Sequence, residues 1–339
     1  MIYAILKTYH RRPWIALVIG LGLAGLTECR TSLAQDTSTI EAAQEHLILV
    51  VGAAGEDEYA AEFSTWSQAW QSLASQRQWN LTRIDQHTSA NAQREALMAS
   101  ILEHGRSAER LWIVLLGHGT YSGAAAKFNL VGPDVAAQEL STWLKRVECP
   151  LVVINCSSAS GPFLPELSGQ ERVVLTGTRS GSEINFARFG KYLSQSLNDL
   201  AADVDHDLEV SLLEAFLAAT AGTERFYREE ARLTTEHALL DDNGDRAGTS
   251  GDFFRGVRPV KKANAGAAID GDVAKRIILY SAPDAPKFSP ELAKQRSTIE
   301  DHIDALRSQK SELTETDYLA ELQRLMLQLS NVYSAAEAL

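Results

Sequence analysis

"LWIVLLGHGTYSG" (Leu111–Gly123) runs six mostly apolar residues straight into Gly117-His118-Gly119, and "LVVINCSSASG" (Leu151–Gly161) repeats the pattern with Cys156 after its apolar run. Continuous apolar runs of this length that break on glycine or small polar residues read as strands buried on both faces. "HLILVVG" (His46–Gly52), "LTRI" (Leu81–Ile84) and "RVVLTG" (Arg172–Gly177) read as further strands, and "AKFNLVG" as a short hairpin. Between them, "EYAAEFSTWSQAWQSLASQ", "NAQREALMASILEHG" (with Gly105 as its C-terminal cap) and "AAQELSTWLKRV" read as helices, the first with Phe63, Trp66, Trp70 and Leu73 on one face. Strands alternating with helices predict an α/β domain whose mostly parallel sheet is covered on both sides.

In such sheets ligands bind beyond the carboxyl ends of the strands. His118 and Cys156 both stand at such ends. A thiolate nucleophile, an imidazole that moves protons and backbone N–H groups for an oxyanion are the parts of cysteine-based acyl transfer. Gly117 and Gly119 allow a tight turn around the histidine, and Ser157, Ser158, Ala159 and Gly161 leave room beside the thiol. Taken singly, each residue also fits a plainer role, Cys156 as a small buried hydrophobe and His118 as a hydrogen-bonded turn residue.

"IVLLGHGTYSG" together with "VVINCSSASGPFLPELSGQERVVLTGTRSG" resembles the caspase-like clan of cysteine peptidases, in particular bacterial relatives of its legumain-type branch. The resemblance spans roughly residues 46–196. It implies a caspase-like three-layer sandwich, with Cys156 as nucleophile, His118 as acid/base, and the backbone N–H groups of Gly119 and Cys156 as oxyanion donors. The implied activity is that of an exported cysteine endopeptidase that hydrolyses peptide bonds in a peptide or protein substrate. Two stretches depart from the legumain pattern: Ile154-Asn155 and Ser157 around the cysteine, and "GEDEYAAEF" after the first strand, so asparagine specificity is not implied. The loop "TGTRSGSEINFARFG" offers Arg179 and Glu183 for a specificity pocket, against the competing reading of a salt bridge between loop and helix. The alternative to the enzyme is a catalytically inert caspase-like binding module of the cell envelope.

"DVDHDLEVSLLE" (Asp203–Glu214) has the spacing of an EF-hand loop. Asp203, Asp205 and Asp207 fill positions one, three and five, Glu209 offers its carbonyl at seven, and Ser211 and Glu214 stand at nine and twelve. Helical segments flank it. Such a set of hard oxygen donors predicts structural or regulatory Ca²⁺, weakened by Leu208, which occupies the position where glycine normally makes the sharp turn. "DDNGDRAGTSGD" (Asp241–Asp252) also begins with spaced acids, but Gly248 replaces the apolar anchor and it reads as a plain acidic turn. No organic cofactor is expected.

The 339 residues carry a formal charge of −12. Lys7, Arg11 and Arg12 precede the apolar run "WIALVIGLGLAGL", and "SLA" follows at Ser32–Ala34, which is the layout of a secretory signal peptide over residues 1–34. Its removal takes a net +3 away and leaves −15, which argues against nucleic acid as a partner. A periplasmic or secreted location is expected, with no stable membrane span once the signal is gone. Cys149 and Cys156, separated by an apolar strand, are expected to be free thiols. A polar linker over 35–45, a peptidase-like domain over 46–285 that includes the loop 203–214, and a C-terminal helical hairpin over 286–339 complete the organisation. Ser289 and Pro290 start the hairpin as N-cap and first helical residue, and its apolar residues recur at helical spacing, so it is expected to pack on the domain or on a protein partner.

Overall fold

The computed structural model describes residues 44–88, 92–123, 125–261 and 269–337. The signal-peptide and most of the linker expectation therefore fall outside the described residues. At the centre lie parallel strands β1 (His46–Val51), β2 (Asn80–Ile84), β3 (Leu111–Leu116), β7 (Leu151–Asn155) and β8 (Arg172–Thr176), in the order β8-β7-β3-β1-β2. Between β3 and β7 a small antiparallel sheet, β4 (Gly119–Tyr121), β5 (Ala126–Phe128) and β6 (Val135–Ala136), rises where the sequence predicts a hairpin.

Successive side chains of a strand point to opposite faces, so each run divides by parity. Leu47, Leu49, Trp112, Val114, Val152, Ile154, Val173 and Leu175 face one layer, built from α1 (Asp57–Gln76), α5 (Phe189–Ser196) and α6 (Leu212–Glu229). Ile48, Val50, Ile113, Leu115, Leu151, Val153 and Val174 face the other, built from α2 (Gln93–His104), α3 (Ala137–Leu144) and α4 (Phe163–Leu167). The three-layer α/β sandwich predicted from the sequence is the observed architecture. Phe63, Trp66, Trp70 and Leu73 of α1 are all buried against the sheet, as their spacing requires. Gly105 does cap α2, accepting no left-handed turn: its φ is −65° and its N–H donates to the Ile101 carbonyl.

"LLDDNGDRAGTSGD" is not simply a loop, because β10 (Leu239–Asp241) and β11 (Thr249–Ser250) extend the central sheet antiparallel beyond β8. The strand β14 (Ile278–Ser281) pairs with β9 (Glu209–Ser211) inside the predicted calcium loop, in a separate two-stranded sheet. Two short strands, β12 (Phe254–Arg255) and β13 (Arg258–Pro259), form a hairpin between these regions.

The C-terminal hairpin consists of α7 (Pro290–Ser308) and α8 (Glu315–Ala336), with Ile303, Leu306, Tyr318, Leu325 and Leu329 between them. It packs on the domain through ion pairs: Arg296 reaches Glu209 at 2.6 Å and Asp207 at 3.4 Å, and Lys275 reaches Asp304 at 2.9 Å. Among the described residues no helix is long and apolar enough to cross a membrane.

Candidate functional site

Cys156 follows β7 directly and His118 follows β3 after Gly117, and each continues the parity of its strand. Cys156 has the parity of Val152 and Ile154, so its side chain enters the core under α1 and α5 rather than the space above the sheet. It is 0% exposed. Gly190 of α5 closes it in: a Cβ there would meet the Cys156 Cβ at 2.9 Å and the Trp66 ring at 2.8 Å. Burial pushes the thiol far above its ordinary pKa, and the nearby Glu236 carboxylate pushes the same way. A nucleophilic cysteine needs the opposite environment, one that favours thiolate.

The His118 ring is half-buried among aromatics, edge-on to Tyr59 with centroids 4.8 Å apart and to Phe63 at 5.2 Å, with Phe186 at 5.8 Å. Its Nε2 hydrogen-bonds with the Ala54 carbonyl at 3.1 Å. Burial lowers its pKa, opposed by that carbonyl and by Glu56, so neutral imidazole is favoured. The histidine's hydrogen bond is thus to a backbone carbonyl and not to the cysteine.

The oxyanion donors implied by the resemblance are engaged as well. The Cys156 N–H donates to the Leu115 carbonyl at 3.0 Å, continuing the β3–β7 ladder one residue past the strand. The Gly119 N–H points at Ser158 Oγ at 3.4 Å, and a Cβ on Gly119 would lie 2.2 Å from the Ser158 carbonyl oxygen. The two strand-end loops are therefore packed on one another. Around them Asn155 Oδ1 accepts from the Ser157 backbone N–H and hydroxyl, and Ser160 hydrogen-bonds with Thr178, all buried.

Arg179 and Glu183 pair with each other inside the loop and not with a helix: Arg179 Nε lies 3.2 Å from Glu183 Oε1. Glu183 also accepts from His237 Nδ1 at 2.6 Å and from the backbone N–H groups of Arg179 and His237. Its carboxylate is occupied by the protein, whereas the Arg179 side chain is 60% exposed.

In the loop 203–214, Asp203, Asp205 and Glu214 bring carboxylate oxygens within 4.8 Å of one another. Asp207 is not in that group; it leans toward Arg296, as does the side chain of Glu209. Asp203 accepts from the backbone N–H groups of His206, Asp207 and Leu208 and so ties the turn together. Leu208 has φ +72°, the left-handed turn that the loop position demands of a non-glycine residue. Ser211 and Glu214 form a capping box at the start of α6, which accounts for both residues before any ion is considered. On the entering side α5 ends at Ser196, and a 3-10 turn over Leu200–Ala202 leads into the loop. Burial raises the pKa of Asp205 and Glu214 and takes Asp207 to about 8.

The second acidic loop follows the same backbone course. Asp241 accepts from the N–H groups of Gly244 and Arg246, both at positive φ (+76° and +70°), which are the fourth and sixth positions as in the first loop. Its third close carboxylate is Asp270, brought from beyond the loop and buried, with Asp245 completing the group. The sequence reading passed over Asp270 because it lies in "AIDGD", with no periodic signal and remote in the chain. It also passed over two buried polar residues, Thr223 on α6 and Glu236 in the segment before β10. A glutamate three residues before a strand start, in "TEHALL", was the available sign.

No family model and no curated protein matches the sequence. Among solved structures the chain is similar to the Drosophila initiator caspase Dronc, at 14% identity over 70% of this chain and 98% of that one, with a TM-score of 0.38. It is also similar to a protein from Geobacter sulfurreducens (11% identity, 53% and 89% coverage, TM-score 0.37) and to drICE (8%, 59% and 88%, 0.37).

Proposed function

We propose that this chain is an exported, caspase-like module in which Cys156 and His118 serve the core rather than peptide hydrolysis. The observation that carries this reading is the fully buried Cys156, whose N–H is already bonded to Leu115 and whose thiol is held protonated. A substrate carbonyl would have to displace α5 at Gly190 to reach the sulfur. A legumain-type relation, suggested by the strand-end His118-Gly119 and Cys156, is part of the same proposal, as is the periplasmic or secreted location read from residues 1–34.

Calcium at the loop 203–214 belongs to this reading. The three converging carboxylates and the left-handed Leu208 fit a hard divalent cation, with Asp203, Asp205 and Glu214 as the side chains that would hold it. Bound there, Ca²⁺ would neutralise clustered acids and brace the loop against β14 and α7. The hairpin is proposed to face a protein partner, supported by the exposed Leu319 and Leu327 on α8.

The test exposes native protein to a thiol-directed alkylator and, separately, to a diverse peptide library with and without Ca²⁺. Cys149, half-buried, is expected to react first, Cys156 only on unfolding, and no peptide is expected to be cleaved. Native labelling of Cys156 together with cleavage that Cys156→Ala removes would overturn the proposal in favour of the peptidase.

A further inference from the structure

A cleft of about 420 Å³ opens at the carboxyl end of β8, between α6, the start of β10 and the segment after β11. None of the residues around His118 lines it. Its lining includes Glu236 and Thr223, side chains 3% and 4% exposed, whose Oε1 and Oγ1 have no hydrogen-bond partner. Buried polar groups are satisfied in native proteins with few exceptions, and a carboxylate oxygen left without a donor is costly. Two such atoms on side chains of one cavity wall call for a donor that the protein does not supply.

The rest of the carboxyl group is fixed. Glu236 Oε2 accepts from the backbone N–H groups of Arg188 and Phe189 at 2.7 and 3.1 Å, at the first turn of α5. That anchoring fixes the carboxyl plane and leaves Oε1 as the free acceptor. Burial raises the pKa of Glu236 to about 7, against the Phe189 and Arg188 N–H groups and the Tyr227 hydroxyl, whose close hydrogen bond is with Thr235 Oγ1 at 2.9 Å. Neither nearby arginine caps Oε1: Arg188 lies over the Phe226 ring at 4.1 Å, and Arg179 pairs with Glu183. Phe189, Phe253 and Leu239 give the cleft apolar walls, and exposed Glu224 and Asp252 add negative charge to its rim, opposed by Arg179, which is paired with Glu183.

We infer that this cleft is a binding site for an alkylammonium group, taken in against Glu236 Oε1 and Thr223 Oγ1 with its carbon chain along the aromatic walls. A charge-assisted bond to a buried carboxylate with apolar sides selects a cation with a hydrocarbon stem over a neutral isostere or an anion. The free amine and the side chain of a lysine in a peptide share that chemistry. This inference does not depend on whether Cys156 is reactive.

The experiment titrates the full chain calorimetrically at pH 8 with n-butylamine, n-butanol and butyrate, and in further arms with Nα-acetyl-lysine methylamide and a short lysine-containing peptide. Saturable binding of butylamine is expected, at least ten-fold tighter than butanol, with none for butyrate, and it is expected to persist in Cys156→Ala. The arm that binds tightest identifies the source of the group. Glu236→Gln is expected to weaken butylamine at least ten-fold; if that variant does not fold by circular dichroism, Thr223→Val carries the test with an expected loss of about three-fold or more. No saturable amine binding, equal binding of butanol, or unchanged affinity in the folded variant would overturn the inference.

Discussion

The two acidic loops, 203–214 and 241–252, fold the same backbone course for different ends. In both, the first aspartate accepts from the N–H groups of the fourth and sixth residues, and those residues take positive φ. They differ in what closes them. The first is closed from within by Glu214, twelfth in the loop and already tied into the cap of α6. The second is closed by Asp270, which accepts from the Asp242 and Asn243 N–H groups and from Thr249 Oγ1. Spaced aspartates thus build the turn by themselves, through local hydrogen bonds to the backbone, and only the closing acid distinguishes a local device from a tertiary one.

The sharpest way to break the comparison is to remove each first-position carboxylate. Asp203→Ala strips acceptors from three backbone donors and is expected to cost about 4 kcal/mol in chelator. Asp241→Ala strips two and is expected to cost about 3 kcal/mol, both read by urea denaturation. Equal and small costs would show that the turns are held by something other than these bonds.

The closing acid of the second loop should make stability depend on pH. Burial raises the pKa of Asp270 to about 6, against 3.8 for the free group, despite opposing hydrogen bonds from Thr249 and Asp242. The native state therefore binds a proton more readily than the unfolded chain. That contribution is present below about pH 4 and is lost as pH rises through 6, for an order of magnitude of about 3 kcal/mol. Denaturation midpoints of the wild type and Asp270→Asn, compared from pH 4 to 7, should show the slope reduced in the variant; parallel profiles would remove Asp270 as its origin.

Calcium should separate the loops next. If loop 203–214 holds the ion, saturating Ca²⁺ at a hundred times its Kd adds about 2.7 kcal/mol to stability. The accompanying rise in Tm is expected to vanish in Glu214→Gln, and its survival there would place the ion elsewhere. The smallest effect concerns the strained sixth position. At φ +72°, Leu208→Gly is expected to change stability by about 1 kcal/mol or less, because relief of strain offsets lost contact, whereas the β-branched Leu208→Val should be clearly worse. Thermal melts of the two variants, ranked the other way, would contradict the left-handed turn.

Much of this molecule was legible in the chain. The apolar runs and helical periodicities specify β1, β3, β7, β8 and the helices between them, because burial on both faces of a parallel sheet leaves an unbroken apolar signature. The parity of "LVVINC" also carried the fate of Cys156, since a residue two past Ile154 keeps its face if the strand conformation continues. Whether it continues was not written locally. The β3–β7 ladder runs on through the Cys156 N–H to Leu115, and Gly190, 34 residues later, lets α5 close over the sulfur.

The sequence by itself therefore determined the layers, the parallel strands, the paired acidic turns and the residue types at the strand ends, all set by contacts within a few residues or by simple periodicity. Tertiary structure alone decided that the cysteine is core, that Asp270 closes the second loop, that β14 pairs with β9, and that Glu236 and Thr223 share one cleft. The reason is the same in each case: these outcomes depend on pairs of groups brought together by packing across tens of residues, and no local pattern records which distant backbone or side chain arrives.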